Sequence, residues 1–234
     1  IYIGGGTPSI INEKFINQIL TSIRSKYIIT NDCEITIEAN PDDISKKKLN
    51  SWKKFGINRI SLGVQSFNDK ILKKLNRSHN STLALNAIEK IKNLFTNYSI
   101  DLMFGTPDSN YNTVLDDLKK IKEISPPHVS IYNMTIEENT IIEKQLKKEK
   151  ISLPDNNIIM NHFDQIQSFM KEIGYYNYEM SSYCKEGFKS KHNSNYWMDK
   201  SYIGFGPAAH SYDKNFRYWN ISDNDIYINK LKKK

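Results

Sequence analysis

Five short apolar stretches alternate with stretches of helical period over residues 1–134, and that alternation restricts the fold more than any other feature. The apolar stretches are Ile1-Tyr2-Ile3, Glu34 to Glu38, Arg59 to Val64, Ser99 to Met103 and His128 to Met134. Each interval holds one amphipathic helix: Phe15, Ile16, Ile19, Leu20 and Ile23 mark the first, and Leu49, Trp52 and Phe55 mark Ser45 to Phe55. Ser81 to Phe95 and Tyr111 to Ile124 follow, with apolar residues at i, i+3, i+4 and i+7. A strand that returns parallel to its neighbour needs a crossover of about a dozen residues or more, most simply a helix. The chain is therefore expected to build an α/β fold of parallel strands. Alternation alone leaves a barrel and an open doubly wound sheet both standing. The residues that end the strands favour a barrel: Gly4 to Thr7, Glu38, Gln65, Asp101 with Gly105, and Thr135. Barrel enzymes gather their sites at this edge. Turns require glycine, but they do not require a Glu, a Gln and an Asp at the ends of three apolar strands. Carboxylates in such places are costly unless paired, so the three are expected to converge on a polar ligand.

The first of these strands runs into Gly4-Gly5-Gly6-Thr7-Pro8-Ser9. Three glycines let the backbone lie flush against a ligand and present N–H groups with no Cβ in the way. Thr7 adds a hydroxyl, and Pro8 stiffens the exit. The run lacks the Gly-Lys-Ser/Thr ending of a phosphate-binding P-loop and the spacing of a dinucleotide fingerprint.

Charge and cysteine content exclude several classes. The net charge is +7, yet the lysines are scattered, as in Lys46-Lys47-Lys48, without interleaved stacking aromatics, so a nucleic-acid partner is not expected. Two cysteines, Cys33 and Cys184, match neither a disulfide framework nor a CxxC metal spacing, and no metal ligands are expected in this chain. No apolar run reaches a membrane span and no signal peptide is visible, which points to the cytoplasm. The chain opens inside a strand, and a segment preceding it is expected.

Past Met134 the repeat stops. Glu143 to Lys150 reads as a charged connector, and Asn156 to Ile173 as a longer helix with Ile159, Phe163, Ile166, Phe169 and Ile173 at core spacing. Beyond it the chain is aromatic and irregular, through Tyr175 to Met180, His192 to Trp197 and Tyr202 to His210. A boundary is placed near Lys150, giving a barrel module over 1–150 and a C-terminal region over 151–234.

Five motifs, in order, carry a resemblance: Gly-Gly-Gly-Thr-Pro-Ser (4–9), Ile-Glu-Ala-Asn-Pro (37–41), Asn-Arg-Ile-Ser-Leu-Gly-Val-Gln-Ser-Phe (58–67), Asp-Leu-Met-Phe-Gly-Thr-Pro (101–107) and His-Asn-Ser-Asn-Tyr-Trp (192–197). Together they resemble the radical S-adenosylmethionine (SAM) proteins related to oxygen-independent coproporphyrinogen III oxidase, and within them the HemW-like heme chaperone branch. The resemblance implies a partial (β/α)6 TIM-like barrel lacking its first unit, followed by a smaller C-terminal α+β region. It also implies a [4Fe-4S] cluster held by three cysteines upstream of the glycine motif, outside this chain.

Carried over position by position, the resemblance makes Gly5, Gly6 and Thr7 the loop at the methionine end of SAM, and Glu38, Gln65, Arg77 and Asp101 its polar contacts. Thr135 becomes a backbone-type contact to adenine. His192 becomes a heme contact, through the His-Asn-x-x-Tyr-Trp element of the chaperone branch. The implied function is heme binding and delivery to an acceptor hemoprotein, respiratory in kind, with peripheral membrane contact during delivery. The alternative is the oxidase chemistry, in which SAM-derived radicals drive decarboxylation of a propionate in porphyrin biosynthesis.

Overall fold

A computed structural model describes residues 1–138 and 140–233. It divides into two compact units, Ile1–Lys189 and Ser190–Lys234.

In the first unit the expected alternation is present. β1 (Tyr2–Ile3) leads to α1 (Glu13–Lys26), β2 (Thr36–Ala39), α2 (Lys46–Lys54) and β3 (Arg59–Gln65). A short α3 (Asp69–Lys74) precedes α4 (Ser81–Lys92), then β4 (Tyr98–Phe104), α5 (Tyr111–Ile124) and β5 (His128–Asn133). α6 (Ile141–Lys147), α7 (Asn156–Glu172), β6 (Tyr176–Asn177) and β7 (Ser182–Cys184) complete it. Side chains cap the helices at their N-termini: Asn12, Ser45, Asn68, Asn80, Asn110 and Asp155 each accept a backbone N–H of the first turn.

The seven strands form one sheet in the order β1-β2-β3-β4-β5-β7-β6, parallel through β5 and antiparallel beyond it. That order settles the question left by alternation. A doubly wound sheet reverses its strand order at a switch point and carries helices on both faces, whereas this one adds each parallel strand beside the last, as a barrel does. The register shows the consequence. Ile37 pairs with Ile60, Leu62 with Ile100, and Ile100 with Val129, and all five are buried. This face joins Ile16, Leu20, Leu49, Trp52, Ala84, Ile88, Ile91, Leu118 and Ile121 of the helices in one core. The other face is polar in every row: Glu38 opposite Ser61, Ser61 opposite Ser99, Gly63 opposite Asp101, and Asp101 opposite Ser130. The main core thus lies on the helical face of the sheet, leaving the inner face for polar groups, and a smaller cluster of Ile71, Leu75 and Met134 packs separately.

The boundary expected near Lys150 falls instead at Lys189. The reason is pairing: β7 lies against β5, and Ile166, Met170 and Tyr183 belong to the same core as the parallel strands. Phe163, expected in that core, is exposed, because α7 turns His162 and Gln165 inward in its place.

The second unit holds α8 (Lys191–Trp197), a hairpin of β8 (His210–Tyr212) and β9 (Arg217–Trp219), and α9 (Asn224–Lys232). The segment expected to be irregular around His192 is therefore a short helix, with Ser190 as its N-cap. Tyr202 bridges Tyr212, and Tyr227 Oη accepts the Gly206 N–H at 3.1 Å. At Gly204 a Cβ would lie 2.2 Å from the His210 carbonyl oxygen, so only glycine fits. Among the described residues no helix is long and apolar enough to cross a membrane.

Candidate functional site

The inner face of the sheet becomes a site at the C-terminal ends of β1 to β5. β1 and β2 lie side by side, and this brings the glycine loop over Glu38. Tyr2 Oη donates to Glu38 Oε1 at 2.7 Å, and the Gly5 N–H donates to Oε2 at 3.1 Å. A Cβ on Gly4 would lie 2.7 Å from the Tyr2 ring and 2.9 Å from the Glu38 carboxyl carbon, so the strand must end in glycine for the carboxylate to fit beneath it. Gly5 and Gly6 hold φ of +79° and +66°, and a Cβ at either would meet nothing within 4 Å. Here glycine is required for conformation, and the turned backbone faces open space. The Gly5 N–H, expected to face a ligand, is taken by Glu38.

Gln65 ends β3 with φ of +69°, a left-handed conformation that costs a non-glycine residue about 1 kcal/mol or more. The pairing of β3 with β4 shifts register between Gly63 and Gln65. Such bulges re-aim a side chain beside a site. The Gln65 side chain folds back over Gly63, where a Cβ would lie 2.8 Å from its Nε2, and its Oε1 accepts from Tyr132 Oη at 2.8 Å. Arg77 approaches the same point, donating from Nη2 to the Gly63 carbonyl at 3.0 Å and to Asn40 Oδ1 at 2.6 Å. Burial lowers its pKa, and Tyr132 and Asp42 favour the charge it keeps.

Asp101, expected at the end of its strand, sits mid-strand on the same face, because β4 runs on to Phe104. Ser61 Oγ donates to its Oδ2 at 2.8 Å and Ser99 Oγ to its Oδ1 at 2.9 Å, while Ser130 adds a third hydroxyl. Burial raises its pKa, and the serine hydroxyls and the Arg59 charge oppose the rise. Much of its acceptor capacity is thus occupied within the protein, and its first effect is to order the row around it. The row continues: Ser99 Oγ meets His128 Nδ1 at 2.8 Å, and His128 Nε2 meets Tyr178 Oη at 2.8 Å. Burial and then the Arg59 charge hold the His128 pKa well below its usual value, so the ring is neutral. Because Ser99 gives its proton to Asp101, His128 carries its own on Nδ1 and accepts from Tyr178 at Nε2.

Tyr2 and Tyr132 tie the parts together. Burial and then the Glu38 carboxylate raise the Tyr2 hydroxyl far above its usual range, with Asp101 contributing. Tyr132 is pushed up to about 12, by burial first and then by the Asp101 charge, and it is also within the field of Arg77 and Glu38. Glu38, Gln65, Arg77 and Asp101 therefore share one polar face with the glycine loop at its rim. Thr135 lies exposed two residues beyond the end of β5, on the same strand-end edge as Gln65. Thr7 follows the glycines and precedes the turn Pro8–Ile10. His192 lies in the other unit, its ring edge-on to Tyr196 at 5.0 Å between centroids.

Several participants were not singled out from sequence: Tyr2, Asn40, Ser61, Ser99, His128 and Tyr132. A signal for half of them, Ser61, His128 and Tyr132, existed. Period two along Arg59-Ile60-Ser61-Leu62-Gly63 and along His128-Val129-Ser130-Ile131-Tyr132 sends every polar residue to one face.

The residues fit SAM and do not fit a cluster. An aminocarboxylate would find here a carboxylate at the rim, a glycine loop with open space beside its turned backbone, and a half-buried guanidinium. No group of three or more His, Cys, Asp or Glu able to hold a metal exists among the described residues, and both cysteines are free.

Comparison with known proteins agrees with this geometry. The Radical SAM superfamily description matches residues 1–121. Among curated proteins, the chain is similar to the heme chaperone HemW of Buchnera aphidicola subsp. Schizaphis graminum, 41% identical over 210 residues that cover 90% of this chain and 55% of that protein. It is similar also to the heme chaperone HemW of Escherichia coli, 38% identical with the same coverages. The chain thus spans about half the length of the curated relatives it matches. Its fold resembles that of coproporphyrinogen III oxidase (HemN) from Escherichia coli, described as a radical SAM enzyme. The TM-score is 0.85 over 100% of this chain and 56% of that one, at 23% identity.

Proposed function

This chain belongs to the radical SAM superfamily, and on that premise we propose that it is the SAM-binding and heme-binding part of a heme chaperone that delivers heme to an acceptor hemoprotein. The observation that carries the reading is the identity of 41% and 38% to heme chaperones, against 23% to the oxidase whose fold it shares. A shared barrel does not decide between chaperone and oxidase, since one fold hosts many functions.

In this proposal Glu38 and the Gly5-Gly6-Thr7 loop hold the methionine end of SAM. Glu38 offers its carboxylate to the ammonium, and Arg77 lies on the same polar face with a fork suited to a carboxylate or hydroxyl. Gln65 and Asp101 orient hydroxyls of the ribose, and the backbone at Thr135 meets adenine. Together with a reduced [4Fe-4S] cluster, SAM would supply the radical chemistry of the superfamily; the residues described do not hold such a cluster. His192 is proposed as the heme contact. Histidine is a common axial ligand, and aromatic neighbours such as Tyr196 suit a porphyrin face. The acceptor, its respiratory character, contact with the membrane surface and a cytoplasmic location belong to the same proposal.

The test is a heme titration followed at the Soret band. His192→Ala is expected to weaken binding by about tenfold or more and to move the band, as loss of one axial ligand does. An unchanged affinity and spectrum would remove His192 from the heme site and leave the SAM reading intact.

A further inference from the structure

α5 and α7 enclose a groove of ≈ 610 Å³ on the helical side of the sheet, away from the polar inner face. His162 and Gln165 lie along it, one helical turn apart on α7. Both are buried, His162 to 1% exposure, and they present polar atoms that the protein leaves unmet. Neither His162 Nδ1 nor Nε2 has a hydrogen-bond partner, and Gln165 Oε1 has none, although Gln165 Nε2 donates to the Tyr111 carbonyl at 3.1 Å. A buried donor or acceptor without a partner is destabilising, and native folds tolerate few of them. Three such atoms along one groove are an arrangement that a ligand would complete.

The chemistry of that ligand follows from what the walls offer. Burial lowers the His162 pKa, so the ring is neutral and contributes one N–H and one bare nitrogen. Gln165 Oε1 accepts only. Among the residues lining the groove the charged ones are Asp164 and Glu172, and none is lysine or arginine, in a chain whose net charge is +7. Asn110, Asn161, Tyr111 and Ser168 add donors and acceptors alike, so the balance is set by the two carboxylates and is negative, while Leu115, Ile158 and Phe169 supply an apolar wall. We propose that the groove between α5 and α7 is a binding site for a small organic cation, an ammonium group carried on an apolar or aromatic body. The ammonium N–H groups donate to Gln165 Oε1, to the bare nitrogen of His162 and to the rim carboxylates, and the body lies against Leu115, Ile158 and Phe169. The class cannot be a metal ion, since no metal-holding group exists among the described residues.

The experiment uses three aromatic probes of one size: tyramine, uncharged 4-ethylphenol, and the anion 3-(4-hydroxyphenyl)propionate. Binding to the whole chain is measured by calorimetry and by the ring ¹⁵N resonances of ¹⁵N-histidine-labelled protein. Tyramine is expected to bind about tenfold or more tighter than 4-ethylphenol, with the propionate weaker still. It should shift one histidine ring, and that resonance should be missing from His162→Phe. Gln165→Leu and the surface pair Asp164→Asn with Glu172→Gln should each weaken tyramine by about tenfold, and the surface pair leaves the core untouched. Equal affinity for tyramine and 4-ethylphenol, or no shift of the His162 ring at millimolar tyramine, would overturn the proposal.

Discussion

Asp117→Ala at about pH 5 is expected to remove about 3 kcal/mol of stability, which for a chain of this size lowers the unfolding midpoint by about 6–12 °C. Asp117 projects from α5 into the turn that follows β3. Its Oδ1 accepts the Phe67 N–H at 2.7 Å and its Oδ2 accepts from Ser66 Oγ at 2.8 Å. Ser66 Oγ in turn accepts the Asn68 N–H at 3.0 Å, and Asn68 caps α3. Truncation leaves the Phe67 N–H and the Ser66 hydroxyl buried without their acceptor, next to the strained backbone of Gln65. SAM affinity should fall with stability, because the turn that aims Gln65 loosens.

The same residue sets a pH dependence. Burial raises its pKa from 3.8 to about 6, and the bonds from Phe67 and Ser66 oppose the rise without cancelling it. A group whose folded pKa lies above its unfolded value binds protons more tightly in the fold. Its stabilisation is full below about pH 3.8 and is lost as pH rises through 6, a change of about 3 kcal/mol over that window. Asp117→Asn keeps the shape and cannot ionise, so the difference between its unfolding midpoint and that of the unaltered protein should change steeply from pH 4 to pH 7. Parallel curves would show that the carboxylate titrates as an exposed one does.

The parallel strands were legible because burial imposes its own alphabet. Ile37, Ile60, Leu62, Ile100 and Val129 are β-branched or aliphatic at every second position, and the helices between them carry a clear stripe. That Glu38, Gln65 and Asp101 share one face of the sheet was legible for the same reason, period two and a common strand direction, although Asp101 lies mid-strand and not at its end. What each contacts was not legible. The Gly5 N–H meets Glu38 only because β1 pairs with β2, and Arg77 reaches Gly63 only because α3 returns the chain beside β3. β6 and β7 are two and three residues long, too short for any periodicity; β7 is fixed by antiparallel pairing with β5, some fifty residues earlier, and β6 by pairing with β7. β9 is exposed along its whole length, so no alternation marks it. α8 did carry a signal in Ser190, which caps the Asn193 N–H at 3.2 Å, but its aromatic composition masked the helix. His162 and Gln165 were hidden by their neighbours: Phe163 and Ile166 suggest an apolar face rotated from the one that packs.

Glu38→Ala is expected to lower SAM affinity about 100-fold while moving the unfolding midpoint by only about 2–4 °C. The asymmetry comes from where the carboxylate sits. It is half buried at the rim of the sheet, bonded to Tyr2 and Gly5 and to no element of the core. Removing it leaves the Tyr2 hydroxyl and one loop N–H able to reach water, so the fold loses little. The ligand loses more. A charge-assisted contact to its ammonium group disappears, about 1.5–3 kcal/mol, and the Gly5-Gly6 loop loses the bond that holds its left-handed turn over β2. Glu38→Gln separates the two losses. Its amide oxygen still accepts from Tyr2 or Gly5, so the loop keeps its place and only the charge is gone; a loss of about tenfold is expected. Calorimetric titration of SAM into the three proteins, beside their thermal unfolding, decides the matter. If Glu38→Gln binds as poorly as Glu38→Ala, the carboxylate acts through its charge alone. If both unfold as far below the unaltered protein as their affinity has fallen, Glu38 is a brace between β1 and β2 and the ligand must be held elsewhere on the polar face.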